Sequence, residues 1–253
     1  MAQNAENTFP KWLHYFDTIN STNNYAMQRI DDGLAQHGEV IWAARQTQGK
    51  GQRGNTWQDE AGNIAMSLII RPETGADQQF RLSMSVALTL SKYLEALSDA
   101  WQVAIKWPND IYINDKKACG VLIENVFRGM NWAYAVIGIG INVNQPAFPE
   151  HLPHATSLSL AAGRQFDLYE IVTDVRTGML NALRPETAPE TGNLLQQYNN
   201  HLFGRNREMH FQEKQNQRDF TAFVQEVNAD GQLVLLGHRG IEKYNFGELS
   251  WIL

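Results

Sequence analysis

A lysine followed by a tryptophan, a proline and two polar residues is the part of this sequence that most clearly predicts chemistry. The run is Lys106-Trp107-Pro108-Asn109-Asp110, and the apolar residues 103–105 before it are typical of a short buried strand. Pro108 blocks helix formation and favours an extended Trp107. A cation fixed at the end of a strand suits a phosphate or a carboxylate. The alternative is a surface lysine beside a turn.

A glycine-rich loop precedes this segment, with the sequence Gly49-Lys50-Gly51-Gln52-Arg53-Gly54. It matches the dinucleotide-binding pattern literally, but that pattern must open a helix, and residues 55–63 show no helical periodicity. The glycines let backbone N–H groups approach an anion, Lys50 and Arg53 add charge, and Trp57 offers an aromatic wall. These features predict a loop that closes over a phosphate-carrying ligand. An exposed basic loop is the alternative.

A third segment, residues 136–144, combines an apolar strand with two glycines, Gly138 and Gly140. Alternate glycines let a ligand or another backbone lie flat against a strand. Asn142 offers an amide at the end of this strand. Close strand packing is the alternative for at least one of the two glycines.

Composition excludes several classes of protein. The 253 residues carry a net charge of -6 and no basic stripe, which disfavours nucleic acid as the main partner. Cys119 is the only cysteine, so an internal disulfide and a cysteine-based zinc cluster are excluded. We expect it to be a buried apolar residue, with a reactive thiol as the alternative. No secretory signal and no apolar run of ~20 residues is present, which predicts a soluble cytoplasmic protein without membrane contact.

Strands and helices are predicted to alternate along the first 203 residues. One helix begins at Ser21-Thr22-Asn23 and runs to about Leu34, and apolar spacing predicts another over 82–97. Two more helices are expected at about 168–183 and 191–202. The strands are predicted at 12–16, 40–44, 64–70, 103–106, 111–113, 118–124 and 132–143.

After Gly204 the pattern changes to short alternating strands. They are predicted at 208–212, 220–227, 233–236 and 241–246, which indicates a small β-barrel of about 50 residues. The sequence therefore predicts two domains, residues 1–203 and residues 204–253.

Taken in order, the segments resemble the biotin–protein ligase family, that is, the biotin–[acetyl-CoA-carboxylase] ligases. The resemblance covers residues 12–145 well and extends loosely to Gly247-Glu248-Leu249-Ser250. It rests on Ser21-Thr22-Asn23, Gln46, residues 49–54, Trp57, residues 106–110, Gly120-Val121-Leu122-Ile123-Glu124 and residues 138–142.

The resemblance implies an α+β fold, in which a mixed sheet flanked by helices forms a class II synthetase-like catalytic domain, followed by an SH3-like barrel. It implies that ATP activates biotin as biotinyl-5′-adenylate, and that the biotinyl group passes to a lysine of a biotin carboxyl-carrier protein or domain. Mg²⁺ is expected to arrive with ATP, and a homodimer is possible within the family. Fewer than two dozen residues precede Ser21, which favours a monofunctional enzyme without a DNA-binding domain.

This chemistry needs cations and positioning more than a nucleophile, because a carboxylate must attack an α-phosphate while both carry negative charge. Lys106 is the main candidate to counter the charge of the transition state, with Lys50 and Arg53 as further catalytic groups. No metal ligands are expected in the chain itself. The resemblance implies a biotin pocket of Ser21, Thr22, Asn23, Gln46, Gly49, Lys50, Gly51, Gln52, Lys106, Gly138 and Gly140. It implies ATP and adenylate contacts from Lys50, Gln52, Arg53, Trp57, Lys106, Asn109 and Asn142.

The residues that begin the first predicted helix allow a second interpretation. Ser21, Thr22 and Gln46 have donors and acceptors for the ureido ring of biotin, but Ser21 and Thr22 are also good helix N-caps.

Family members commonly carry arginine where this chain has Lys50 and Gln52. Lysine keeps the charge and loses the bidentate fork, whereas Gln52 loses the charge, so retention of the adenylate is expected to be weaker or arranged differently.

Two other functions compete with biotin ligation. A lipoate–protein ligase or a lipoyl/octanoyl transferase is similar in fold and also uses a lysine. A non-enzymatic sensor of biotin or nucleotide is the rival from another class. Lys106 and the glycine loop argue against a sensor, and synthesis of an adenylate would exclude it.

Overall fold

The computed structural model describes residues 9–54, 57, 62–184 and 189–253, with only the backbone described for Arg53. Helices are α1 (Thr22–Asp31), α2 (Gln79–Leu97), α3 (Leu158–Ala162), α4 (Leu168–Ala182) and α5 (Thr191–Asn200). Strands are β1 (Leu13–Phe16), β2 (Val40–Ala43), β3 (Ile64–Ile70), β4 (Val103–Lys106), β5 (Asp110–Ile113), β6 (Lys116–Arg128), β7 (Asn131–Ile141), β8 (Glu208–Glu213), β9 (Arg218–Val227), β10 (Leu233–Gly237), β11 (Gly240–Tyr244) and β12 (Leu249–Ile252).

The chain forms two compact units, each assembled from separate segments. The first takes the chain up to Ala76 together with Gly120–Pro146 and Ser157–Arg176. The second takes Asp77–Cys119, Ala147–Thr156 and Thr177–Leu253. The predicted division at residue 203 stays a prediction.

In the first unit the strands follow the order β1-β2-β3-β7-β6. β1 runs parallel to β2, whereas β3 runs antiparallel to both β2 and β7. Helix α1 packs its apolar face on these strands, where Ala26 and Ile30 are buried with Ile41, Ile69 and Val136. The helix ends at Asp31, three residues before the predicted end, because Gly33 adopts the left-handed conformation that terminates helices.

In the second unit β4 and β5 form an antiparallel hairpin in which Lys106 lies opposite Asp110, and the start of β6 follows β5. The predicted stripe of α2 is buried at Leu82, Val86, Leu90 and Leu94. The last strands form a five-stranded sheet in the order β11-β10-β9-β8-β12, antiparallel in every pairing. The short helix α3 and the strand β12 were not predicted.

The predicted fold class is confirmed. Parallel and antiparallel strands occur together with helices, and the C-terminal antiparallel sheet is compatible with an SH3-like barrel. Within the described ranges, no helix is both long and apolar enough to cross a membrane.

Candidate functional site

A row of polar side chains crosses the first unit beneath the start of α1. We call Gln46, Thr22, Ser67, Asn23 and Glu124 the polar row. Gln46 Oε1 accepts from the backbone N–H of Thr22 at 2.8 Å and lies 3.1 Å from its Oγ1. The Ser67 hydroxyl lies 2.8 Å from Thr22 Oγ1 and donates to Asn23 Oδ1 at 2.6 Å. Asn23 Nδ2 then donates to Glu124 Oε2 at 2.7 Å.

The middle of the polar row is buried, and this fixes its geometry. Thr22 and Asn23 are each 3% exposed, and Ser67 is fully buried. Buried polar groups are costly unless they are hydrogen-bonded, so each member holds its neighbour in one orientation. The row therefore fixes the amide oxygen of Gln46 on Thr22. The amide nitrogen of Gln46, bonded to the same carbon as this oxygen, lies towards Gly49.

Ser21 caps α1 in the structure. Its hydroxyl accepts from the backbone N–H of Asn24 at 3.5 Å, and the residue has the extended conformation of an N-cap. The capping role that the sequence offered as an alternative is thus observed for Ser21. The Thr22 hydroxyl does not cap the helix, because it faces Gln46 and Ser67 in the polar row.

The glycine loop is held close to Trp57. The backbone N–H of Trp57 donates to Gly49 O at 3.1 Å, and a Cβ at Gly49 would lie 2.6 Å from Trp57 O. Glycine is therefore required at position 49. Lys50 Nζ lies 3.6 Å from Glu124 Oε1, and Gln52 Nε2 donates to Val121 O at 3.4 Å.

After the loop, the structure describes a single 3-10 turn at Gln52–Gly54 and then β3. No α-helix is opened by the described residues of this stretch, in agreement with the rejection of a dinucleotide-binding loop. The Arg53 side chain and residues 55–56 and 58–61 lie outside the described part of the chain.

The two glycines of β7 make room for side chains of the chain itself. A Cβ at Gly138 would lie 2.4 Å from Asn23 Oδ1, and a Cβ at Gly140 would lie 2.4 Å from Cε2 of Trp57. Both distances are far shorter than van der Waals contact, so only glycine fits at either position. The sequence predicted a close approach by a ligand or a backbone. The structure shows approach by an amide and an indole ring. Asn142 is buried just beyond the strand, where its backbone carbonyl accepts from Leu158 N at 2.9 Å.

Lys106 ends β4 in the second unit, half-buried between aromatic rings. Its Nζ lies 5.5 Å from the ring centroid of Tyr112 and 5.6 Å from that of Trp251. Among the described residues no carboxylate forms an ion pair with it, because the facing Asp110 binds Lys117 Nζ at 2.8 Å. Burial lowers the pKa of Lys106 to about 8, and the attraction of Asp110 and the repulsion of Lys117 act in opposite directions.

The residues after Lys106 are fixed by groups of the same unit. Trp107 is buried, and its Nε1 donates to Gly231 O at 3.0 Å. The Tyr198 hydroxyl donates to Pro108 O at 3.4 Å. Asn109 is half-buried. The run that the sequence singled out is therefore a rigid turn, and within the described ranges its lysine forms no ion pair with a carboxylate.

The predicted site residues fall into one group in each unit. The first holds Ser21, Thr22, Asn23, Gln46, the glycine loop, Trp57, Gly138, Gly140 and Asn142, and the second holds Lys106 and Asn109. In the described part of the chain, no three His, Cys, Asp or Glu side chains are grouped as metal ligands would be.

Comparison with known proteins assigns the family. The model of the biotin/lipoate A/B protein ligase family matches residues 15–142, just over half of the 253 residues. The chain belongs to this family. The match covers the polar row, the glycine loop, residues 106–110 and both glycines of β7.

Individual proteins of known family are also similar in sequence to this ligase family member. The bifunctional ligase/repressor BirA of Bacillus spizizenii is 38% identical over 167 residues, which are 64% of this chain and 51% of the relative. The biotin–[acetyl-CoA-carboxylase] ligase of Paracoccus denitrificans is 39% identical over 124 residues, which are 49% of this chain and 51% of the relative. The chain thus matches about half the length of these curated relatives.

A solved structure is similar over a longer range. The biotin protein ligase from Aquifex aeolicus, determined in complex with biotin and ATP, is 25% identical to this ligase family member. The similarity covers 95% of this chain and 98% of that chain, with a TM-score of 0.78.

Three residues of this family member gain importance only from the structure. Ser67 bridges Thr22 and Asn23 from within an apolar strand, where a lone serine gave no signal. Glu124 belongs to a segment that the sequence noted, but its contacts to Asn23 and Lys50 were not foreseen. Trp251 was not singled out at all.

Proposed function

We propose that this protein is an ATP-dependent biotin–protein ligase. It activates biotin as biotinyl-5′-adenylate and transfers the biotinyl group to a specific lysine of a biotin carboxyl-carrier protein or domain. The observation that carries the proposal is the similarity over 95% of the chain to a biotin protein ligase determined with biotin and ATP. The match to the Paracoccus denitrificans ligase supports it and suggests an acetyl-CoA carboxylase carrier as the acceptor.

In the first step a carboxylate oxygen of biotin attacks the α-phosphorus of ATP. The new C–O–P bond forms as the bond from the α-phosphorus to the bridging oxygen breaks, and pyrophosphate leaves. Negative charge is high around the reacting atoms, so a positioned cation accelerates the step. We assign this role to Lys106, because its ammonium has no carboxylate partner among the described residues and is partly desolvated.

In the second step the uncharged amine of the acceptor lysine attacks the carbonyl carbon of the adenylate. An amide forms, AMP leaves with the electron pair of the broken C–O bond, and the nitrogen loses a proton. The enzyme needs no nucleophile of its own for this transfer. Lys50, Gln52, Arg53, Trp57, Asn109 and Asn142 are proposed to hold ATP and the adenylate until it occurs.

We assign recognition of the ureido ring to Thr22 and Gln46. The amide oxygen of Gln46 is held by Thr22, and its amide nitrogen is oriented towards the glycine loop, so both ends of the amide group have a fixed direction. Asn23 already binds Ser67 and Glu124, so its proposed part in the pocket is to position the polar row. Ser21, Gly49, Gly51, Gly138 and Gly140 stay proposed as lining of the same pocket.

Mg²⁺ is proposed to arrive with ATP, bound mainly through phosphate oxygens, since Mg²⁺ commonly uses few protein ligands beside its substrate. A cytoplasmic location and a homodimer stay predictions from the sequence.

The experiment that tests the proposal is ATP–pyrophosphate exchange on purified protein, with biotin and lipoate as parallel substrates. We expect exchange with biotin and little with lipoate. Exchange with lipoate alone would exclude biotin as the substrate. It would favour a lipoate–protein ligase, which the family name also covers. Binding of biotin without exchange of either kind would favour a sensor.

The pH dependence of exchange should report the protonation of Lys106. Below pH 8 the lysine carries its charge, and above that pH it loses it, so kcat/KM for ATP should fall with an apparent pKa of about 8. A bound anion stabilises the charged form, so the decline in kcat should lie at higher pH. Exchange rates measured from pH 6.5 to 10 check both the decline in kcat/KM and the decline in kcat. A kcat/KM that stays flat to pH 10 would contradict the role of Lys106.

A further inference from the structure

The last strand of the chain places an indole ring beside Lys106. Trp251 lies in β12, and its ring centroid is 5.6 Å from the lysine Nζ. The ring of Tyr112 lies at 5.5 Å from the same atom. Phe203 contacts both rings, with centroid distances of 5.0 Å to Tyr112 and 5.8 Å to Trp251. Lys106 is thus bounded by a connected aromatic cluster.

The position of Trp251 is set by groups other than the lysine. It pairs with Phe211 across β12 and β8, and the two ring centroids are 4.8 Å apart. A Cβ at Gly204 would lie 3.5 Å from Cζ3 of the indole. The ring is therefore held in place before any ligand binds.

An aromatic face holds an ammonium in a way that suits catalysis. It attracts the charge within about 6 Å without accepting a strong hydrogen bond, so the three N–H donors of the lysine remain available to ligand oxygens. A carboxylate partner would instead compete with the anionic substrate for those donors. The ring also restricts a side chain that otherwise has many rotamers.

We propose that Trp251 is a positioning residue for Lys106, through which the C-terminal sheet holds the lysine ammonium ready for the adenylation step. The inference rests on the proposed function of Lys106. It gives the small C-terminal sheet a part in catalysis beyond supporting the fold.

The charged groups that face Lys106 do not depend on Trp251. Asp110 on β5 attracts the lysine and is itself bound to Lys117 on β6. Burial raises the pKa of the Tyr112 hydroxyl, so this group is neutral in the pH range of the assay. A substitution of Trp251 therefore removes the ring and leaves these charges in place.

The test compares Trp251→Leu with Trp251→Phe. Leucine keeps the site apolar and removes the aromatic face, whereas phenylalanine keeps the face. We expect Trp251→Leu to lower kcat/KM for ATP about tenfold at neutral pH, the range of a partly desolvated cation–π contact. Its alkaline limb should move to lower pH, because the charged lysine loses an attraction. Trp251→Phe should keep both kcat/KM and the pH of its alkaline decline close to those of the unsubstituted protein. Equal losses in the two variants with an unmoved pH profile would overturn the proposal and leave Trp251 a packing residue.

A second readout separates this proposal from the proposed function. Lysines labelled by reductive ¹³C-methylation are titrated by NMR, and Lys106→Met identifies the signal of Lys106. We expect the pKa of this signal to fall in Trp251→Leu and to stay in Trp251→Phe. An unchanged pKa, or one that rises towards 10.5 as water enters, would overturn the positioning role. Absence of exchange in the unsubstituted protein would instead refute the function and leave this titration interpretable.

Discussion

Replacing Lys106 by methionine should lower biotin-dependent ATP–pyrophosphate exchange by about 10²–10³-fold, the usual cost of removing one group that stabilises transition-state charge. Methionine is an unbranched apolar side chain of similar length, so the cavity left behind beside Tyr112 and Trp251 is small. The free energy of unfolding should stay the same or rise, because a cation that is costly to bury is removed. Exchange kinetics and urea unfolding measure the two effects separately.

The matched control for this variant is Lys92→Met. Lys92 is an exposed lysine on α2 whose Nζ donates to Gln197 Oε1 at 2.8 Å. The same change of residue type there should leave exchange within about twofold, since surface contacts contribute little. Turnover close to normal in Lys106→Met would refute the assignment of this lysine.

Gly138→Ala should lower both the stability of the protein and its affinity for biotin. The new Cβ would lie 2.4 Å from Asn23 Oδ1 and 3.0 Å from Asn23 Cγ, so the buried amide must move. The movement breaks the hydrogen bonds from Ser67 and to Glu124. Strain and unsatisfied buried groups together should cost about 2–4 kcal/mol of unfolding free energy. Because Ser67 connects Asn23 to Thr22 in the polar row, the KM for biotin should rise at least about tenfold, which corresponds to 1.4 kcal/mol.

Gly192→Ala is the control for this second experiment. Gly192 lies in α5, a Cβ there would meet no atom within 4 Å, and its φ is not positive. Alanine favours helix over glycine, so the free energy of unfolding should change by less than about 1 kcal/mol, in the stabilising direction. Should Gly138→Ala match this control in urea unfolding and in biotin KM, the polar row would have no part in biotin binding.

Local patterns were enough to predict most of the elements. The apolar runs of β3 and β7 and the stripe of α2 repeat within a few residues, so their periodicity is readable without an alignment. The end of α1 and the strand β12 were missed or misplaced. A single Gly33 ends the helix, and β12 is a short run whose pairing with β8 depends on residues distant in the sequence.

The candidate site was predictable in its residue types and less so in its contacts. The sequence singled out Lys106, Gln46, Thr22 and the glycines of β7. It did not foresee that Gly138 accommodates Asn23, since nothing near either residue indicates the partner. Ser67 and Trp251 were missed for the same reason, because their importance arises from neighbours that are brought close only by folding.

Cys119 is fully buried, and burial raises the pKa of its thiol well above the usual value, so the reactive thiolate is scarce at neutral pH. It is also the only cysteine of the sequence. A maleimide should therefore leave the folded protein unlabelled. A cysteine introduced at Met130, which is 99% exposed, would be the single position to take up a dye. The natural sequence is thus already a suitable background for fluorescence experiments, and no existing thiol has to be removed first.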